Sequence, residues 1–394
     1  MMSSELYADH NASADLLDEV KEYLMIRMKE QPFCNPSSQH IRGIRVKMAI
    51  ENCRSRIAEL LGCETKQIIF TSGATESINS VFNSISVANT LSKSESKTFI
   101  ISQIEHPSTI YAAQSYSRFG YETIKPSTMN NGTVSLASLE SVLSKNTNKG
   151  CLVAVLAANN ETGVLQPIDR IAEICRQFEL PFLCDTTQLI GKENFSFADR
   201  GMDFCIASSH KLGALPGSGL LICRDPQSFH PLIQGGGQEG RLRGGTENYL
   251  GTEAMTVALD FSIRTLNQGE RIRTLRDKFE KRLKRYFPKV EIIGQSANRL
   301  ANTSLLAYPG TIGAQVQMAL NDLGIQVGLS SACTDASLKT SHVLHSMGLK
   351  KEFVDAAIRI SLPYSEDIEK KYDRLFHALN KVYSDLTSSA QTIA

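Results

Sequence analysis

Apolar residues recur at helical spacing in two early segments: Leu17, Val20, Leu24 and Met28, then Val46, Ala49, Cys53, Ile57, Leu60 and Leu61, the second closed by Gly62. Short continuous apolar runs follow: QIIFT at 67–71, TFIIS at 98–102, CLVAVLA at 151–157, PFLC at 181–184, DFCIA at 203–207 and GLLIC at 219–223, with helix-like segments between most of them. Such runs predict strands buried on both faces, and their alternation with helices predicts an α/β fold around a mainly parallel sheet. Ligands of such sheets bind beyond the carboxyl ends of the strands, so the polar residues directly after each run are the site candidates. From about residue 253 the pattern changes to a long helical stretch followed by short strands and helices. This predicts a large domain at 16–255 and a smaller α+β domain built from 1–15 and 256–394. The basic run at 271–289 interleaves its charges with Leu275, Phe279, Leu283 and Phe287, the pattern of an amphipathic helix whose basic face is solvated, a docking surface for an acidic partner or RNA being the alternative.

With 394 residues, the chain is long enough for two or three lobes with sizeable cores. The 42 Lys+Arg and 41 Asp+Glu nearly cancel, so no long-range field draws the chain to nucleic acid or anionic lipid, and no direct nucleic-acid partner is expected. Nine cysteines are scattered without a CxxC, most of them in apolar surroundings, as buried thiols are. Cys333 differs, because LSSACTDAS reads as a loop of small and polar residues. No apolar stretch reaches membrane-spanning length and no signal peptide is evident, so the expected compartment is the cytoplasm, where thiols stay free.

After QIIFT comes TSGATES, small hydroxyl residues around a glycine at a helix start, where free N–H groups suit a phosphate and a plain helix cap is the alternative. The loop is neither a Walker loop nor a GxGxxG. After TFIIS stands His106, after the 150s run Asn159, Asn160 and Glu161, after PFLC Asp185 and then Gln188, and after DFCIA Ser208, Ser209, His210 and Lys211. A carboxylate at a strand end within a sheet is costly unless paired, so Asp185 calls for a cationic partner. Together these groups fit pyridoxal 5′-phosphate (PLP). That cofactor needs a lysine for a Schiff base, a carboxylate to keep the pyridine nitrogen protonated, and donors for its phosphate. Lys211, Asp185 and the 71–77 loop fill those roles, with His106 against the ring and Gln188 and Asn160 as hydrogen-bonding partners.

The sequence resembles the NifS/IscS-like cysteine desulfurases, in the class V aminotransferase group of fold-type I PLP enzymes. The resemblance runs through FCNPSSQH (33–40), FTSGATES (70–77), EHPS (105–108), NNETGVLQPI (159–168), CDTTQLIGK (184–192), SSHKLG (208–213), GGGQEGRLRGGTEN (235–248), SSACTDAS (330–337), SHVLHSMGL (341–349) and AIRISL (357–362). It implies Lys211 as the Schiff-base lysine, Asp185 as the pyridinium partner, Gln188 and Asn160 as ring-oxygen contacts and His106 as the stacking acid/base. Phosphate contacts fall to Ala74, Thr75, Ser208 and His210. Thr246 is implied to reach the phosphate of the other subunit's cofactor, hence a homodimer. Arg359 resembles the clamp on the substrate carboxylate, assisted by Asn35. The implied reaction converts L-cysteine to L-alanine, leaving a persulfide on Cys333 for an acceptor protein, an iron–sulfur scaffold or a thiolation carrier.

Some positions depart from the family pattern. The opening motif reads ADHNASA, keeping Asp9 and Ala12 but losing the second Thr; the segment after Lys211 reads GALPG; Gly240-Arg241 inverts the usual order; and Lys339 stands where an acid is common. Alternatives in the same fold are a selenocysteine lyase and another class V lyase or transaminase. A catalytically inactive dimeric scaffold in sulfur trafficking is the alternative of another kind. No metal site is expected.

Overall fold

The computed structural model describes residues 5–30, 34–146, 150–330 and 340–392. The chain opens with a short strand β1 (Leu6–Ala8). Seven strands follow: β2 (Ile68–Thr71), β3 (Thr98–Ile101), β4 (Glu122–Ile124), β5 (Gly150–Leu156), β6 (Phe182–Asp185), β7 (Phe204–Ser208) and β8 (Gly219–Cys223). They form one sheet in the order β2-β8-β7-β6-β5-β3-β4, in which β8 runs antiparallel to both its neighbours and the other pairs are parallel. All six apolar runs thus become neighbouring strands of a mainly parallel α/β sheet, as expected. Every residue of β5, β7 and β8 is buried, as in a sheet covered by helices on both faces. Burying each large aliphatic side chain of this kind contributes about 1.5–3 kcal/mol against the entropy of ordering the chain. Sequence pattern did not disclose β4, a short edge strand of partly exposed residues.

The remaining strands, β9 (Glu291–Ile293), β10 (Thr303–Ala307), β11 (Ile325–Leu329) and β12 (Ala357–Ser361), pair with β1 in a second sheet ordered β1-β11-β12-β10-β9. Only β1 and β11 are parallel in it. The N-terminal strand therefore lies beside strands that come more than 300 residues later, and the segment leaving it, Asp9–Ala14, crosses toward the first sheet. Asp9 bridges to Ser361, and the Ala14 N–H donates to the carbonyl of His210.

The helix Ile41–Leu61 stops at Gly62 where the spacing predicts. The stripe Leu17–Met28 only partly becomes core: Val20 is buried, whereas Met25, Ile26 and Met28 at the far end of the helix Asp18–Lys29 are exposed. The basic run forms the helix Gly269–Tyr286, which buries Leu275, Phe279 and Leu283. Several of its cations pair with acids of this chain: Arg273 with Glu193, Arg282 with Asp373 and Lys284 with Glu291. In the core beneath it the buried Arg299 and Glu280 form a two-pronged ion pair, with both N···O distances 2.8 Å.

Candidate active site

The carboxyl ends of β2, β3, β5, β6 and β7 meet the N-terminal segment around a cavity of about 440 Å³. At the end of β2 the chain turns through Gly73 (φ 153°, ψ 176°), backbone that a side chain would strain, into the helix Ala74–Leu91. The first-turn N–H groups of a helix have no carbonyl within it, and here they open onto the cavity beside Thr75 and Ser208. Glu76 of the same turn is already neutralised. It accepts from Ser72 N (2.8 Å) and pairs with Arg243, and these partners pull its pKa down although burial works the other way.

Asp185 ends β6 with its carboxylate on the cavity. Oδ1 accepts the Thr187 N–H (2.9 Å), and no ion pair joins it to a cation among the described residues. The cationic partner expected from the sequence is thus not supplied by this chain's described side chains. Beside it, Thr187 Oγ1 is buried and has no hydrogen-bond partner among the described residues. His106 caps the helix Pro107–Ser115, its Nδ1 accepting from Ser108 N (3.2 Å). Burial lowers its pKa, with Lys211 and His342 acting in the same direction and Asp185 against them. The ring is therefore neutral near pH 7 with its proton on Nε2. Directly before it, Glu105 is wholly buried, accepts from Leu156 N (2.8 Å), and is pushed by burial up to about 8.

Lys211 follows β7, and its Nζ donates to the carbonyls of Asn11 (2.7 Å) and Ala12 (2.5 Å). Burial, then Lys211, lower the pKa of neighbouring His210 to about 4. The loop that reads GALPG is held by Ser209, whose single O–H is shared between the carbonyls of Leu215 and Ser218. Asn11 is a buried hub. Its carbonyl also accepts Gln188 Nε2 (2.8 Å), its Oδ1 accepts Lys192 Nζ (3.1 Å), and its Nδ2 donates to Thr303 Oγ1 (3.0 Å) on β10.

Arg359 of β12 projects to the same cavity, 2% exposed. Its Nε (3.1 Å) and Nη2 (2.6 Å) donate to Asp9 Oδ1, and Nη1 donates to the carbonyl of Asn160 (3.0 Å). A side chain at Gly328 would stand 2.4 Å from Asp9 Oδ1, so this ion pair depends on a glycine in β11. A second cavity, of about 680 Å³, meets the first at Asn160 and Arg359 and is lined by Ser330, Thr340, Ser341 and His342. Its wall includes Glu161, which accepts Ser341 Oγ (2.6 Å) and which burial pushes up to about 7.

The structure thus gathers Ala74, Thr75, His106, Asn160, Asp185, Gln188, Ser208, His210, Lys211 and Arg359 around one cavity. Asn35 lies outside it, exposed, with Oδ1 accepting the Ser37 N–H in its own turn. Thr246 is likewise exposed and outside this chain's cavity. Cys333 lies outside the described residues. None of the eight described cysteines lines the cavity, and burial pushes Cys151, Cys175, Cys205 and Cys223 up to about 12, keeping them as thiols. The inverted Gly240-Arg241 sits on unusual backbone, Glu239 at φ 49° and Arg241 at φ 72°. This strain is held by the Glu239 carboxylate, which accepts from Arg54 and from Phe70 N (2.9 Å) at β2. Sequence reasoning missed Asn11, Glu105 and Lys192 as parts of the site, whereas Glu161 was among the polar residues directly after a strand. Lys192 carried a signal, standing four residues after Gln188 at the end of the CDTTQLIGK block.

The donor set suits PLP: an amine at Lys211, a carboxylate at Asp185 and a hydroxyl at Thr187 that have no ion-pair and no hydrogen-bond partner, respectively, among the described residues, and a helix N-terminus with hydroxyls beside it. The chain matches the family described as aminotransferase class-V over residues 6–370. It is 32% identical to a protein of Dictyoglomus turgidum named cysteine desulfurase IscS, over 97% of this chain and 96% of that one. A solved structure described as a NifS-like protein superposes with a TM-score of 0.88 at 30% identity, covering 96% of this chain and 99% of the other. Another, described as SspA in complex with cysteine, gives a TM-score of 0.76 at 28% identity, covering 91% and 99%.

Proposed function

Because the chain belongs to the class-V aminotransferase family, whose members work with PLP, we propose that it is a PLP-dependent L-cysteine desulfurase. It converts L-cysteine to L-alanine and leaves the sulfur as a persulfide on Cys333. The names of its relatives favour this reading over a selenocysteine lyase, another class V reaction or an inactive scaffold. The observation that carries it is the meeting in one cavity of Lys211, Asp185, the Ala74 helix start and Arg359.

PLP, when bound, supplies an electron sink that lets bonds at the substrate's α and β carbons rearrange. Lys211 Nζ is its anchor, Asp185 the counter-charge for its ring nitrogen, and the helix start with Thr75, Ser208 and His210 the cradle for its phosphate. Arg359 binds the substrate carboxylate. A guanidinium has five N–H donors, and with three committed to Asp9 and Asn160 one remains on each Nη nitrogen, the pair a carboxylate needs. His106, neutral and protonated on Nε2, holds and moves a proton at that atom. The Cys333 thiolate attacks the substrate sulfur; its S–S bond forms as the substrate's C–S bond breaks, and a proton returns to the carbon that becomes the alanine methyl.

The segment bearing Cys333 has its flanking residues Ser330 and Thr340 on the cavity that adjoins Asn160 and Arg359, which supports delivery of the thiol from that side. Residues 16–255 form the cofactor lobe, and 1–15 with 256–394 the lobe that brings Arg359. A homodimer accounts for the exposed Met25, Met28, Ile41 and Met48 on neighbouring helices and for Thr246, which serves the partner's cofactor. The acceptor of the persulfide sulfur is a protein, an iron–sulfur scaffold or a thiolation carrier. Among the described residues no helix is long and apolar enough to cross a membrane; the compartment we propose is the cytoplasm. The test is L-cysteine turnover by the PLP-loaded chain: equal alanine and sulfur yields support the proposal, and keto-acid formation without sulfur release contradicts it.

A further inference from the structure

Lys192 does not line the cavity itself, but its amine holds two residues that do, Gln188 and Asn11. Nζ donates to Gln188 Oε1 (2.6 Å) and to Asn11 Oδ1 (3.1 Å), while Gln188 Nε2 donates to the Asn11 carbonyl (2.8 Å). The two ends of the Gln188 amide are thus fixed by opposite constraints. An amine on a lysine offers donors to its neighbours here, so the amide atom facing it is the oxygen; a backbone carbonyl only accepts, so the atom facing Asn11 is the nitrogen. The second N–H of that nitrogen is left for the cavity, which Gln188 lines.

We propose that Lys192 is a positioning residue that fixes the Gln188 amide so that its N–H, and not its carbonyl, faces the ring oxygen of bound PLP. The inference rests on the PLP reading of the site. Removing the Lys192 amine strands two acceptors at once, Gln188 Oε1 and Asn11 Oδ1, and an enclosed acceptor without a donor is costly. Without the amine the amide is held only at its nitrogen, by the Asn11 carbonyl, and its oxygen loses the donor that keeps the second N–H aimed at the ring oxygen. The charges facing Lys192 are those of Lys211 and Arg359; burial first, then these two, pull its pKa down to about 7, so the contact serves as a donor in either protonation state.

The experiment uses the full-length chain loaded with PLP and reads the absorbance spectrum of bound PLP and its dissociation constant, with thermal melting as a control for folding. Lys192→Met weakens PLP binding about tenfold and shifts the absorbance maximum. Gln188→Glu, which keeps Lys192 but presents oxygens at both ends, shifts the maximum in the same direction. Added to Gln188→Leu, the Lys192 substitution changes affinity less than twofold, because it acts through the residue already removed. A wild-type spectrum in Lys192→Met, or an effect that multiplies with that of Gln188→Leu, overturns the inference while leaving the PLP reading intact. Should Lys192→Met not fold, a wild-type spectrum in Gln188→Glu overturns it equally. A wild-type chain that binds no PLP overturns both.

Discussion

Replacing Arg359 by Lys keeps the charge and changes the geometry of the proposed carboxylate clamp. In the structure the guanidinium is aimed by three hydrogen bonds, two to Asp9 Oδ1 at 2.6 and 3.1 Å and one to the Asn160 carbonyl at 3.0 Å, leaving one N–H on each terminal nitrogen. A lysine ammonium has three donors on one atom. Held by Asp9 and Asn160 it has one left, so the substrate carboxylate loses one of two charge-assisted bonds and the planar match of the fork. A hydrogen bond to a charged group is worth about 1.5–3 kcal/mol, which is roughly a 10–100-fold loss in kcat/KM. The loss falls mainly on KM, because the carboxylate is held alike in the ground and transition states. Steady-state alanine formation from L-cysteine measures it. Cysteamine binding, followed through the spectrum of bound PLP, is the control, since that ligand has no carboxylate and should be insensitive to the substitution. An unchanged KM for L-cysteine, or an equal loss with cysteamine, refutes the reasoning.

Four further outcomes follow from the same geometry. Lys211→Ala abolishes both turnover and the yellow absorbance of anchored PLP, and retention of either contradicts its role. Asp185→Asn lowers turnover by about a hundredfold or more, the scale of removing one preorganised electrostatic partner, with an altered PLP spectrum and an unchanged melting temperature; misfolding with a normal spectrum counts against it. Glu280→Gln breaks the buried pair with Arg299 and costs about 3–5 kcal/mol in chemical denaturation, without changing KM. Glu161 and Glu105 hold their protons in the folded state up to about 7 and about 8, well above the ordinary carboxyl range. Above the unfolded pKa the unfolded chain binds fewer protons, so the stability each contributes is complete in acid and is lost at about 1.4 kcal/mol per pH unit as pH rises toward those values. The wild type should therefore lose stability relative to Glu161→Gln between pH 5 and 7 in denaturant titrations, and a difference that stays constant excludes a raised carboxyl there.

The strands and the residues at their ends were legible because burial on both faces of a parallel sheet writes itself as apolar runs, and polar groups directly after such runs share one edge. The composition of those ends, with Asp185 closing one strand and His106 and Lys211 just after two others, then narrowed the chemistry. What escaped sequence reasoning was carried by contacts between distant segments. Asn11 becomes a hub only because β1 pairs with β11 and carries the next residues to Gln188 and Lys211. The Asp9–Arg359 pair spans nearly the whole chain and needs the space above Gly328. Nor does helical spacing tell an outward apolar stripe from a core one, which is why Met28 fits the pattern of Val20 and yet is exposed.

In the proposed reaction one thiol, Cys333, receives sulfur from L-cysteine in a site held by Lys211 and Arg359. Mass spectrometry of the Cys333 peptide after a single turnover with L-cysteine, alongside alanine quantification, tests it most directly. The expected result is a Cys333 peptide heavier by one sulfur atom with alanine formed in equal amount, and a Cys333→Ser variant that binds PLP normally and forms no persulfide. Alanine and sulfide released at the wild-type rate by Cys333→Ser without added thiol, with the extra sulfur absent from the wild-type peptide, would contradict it.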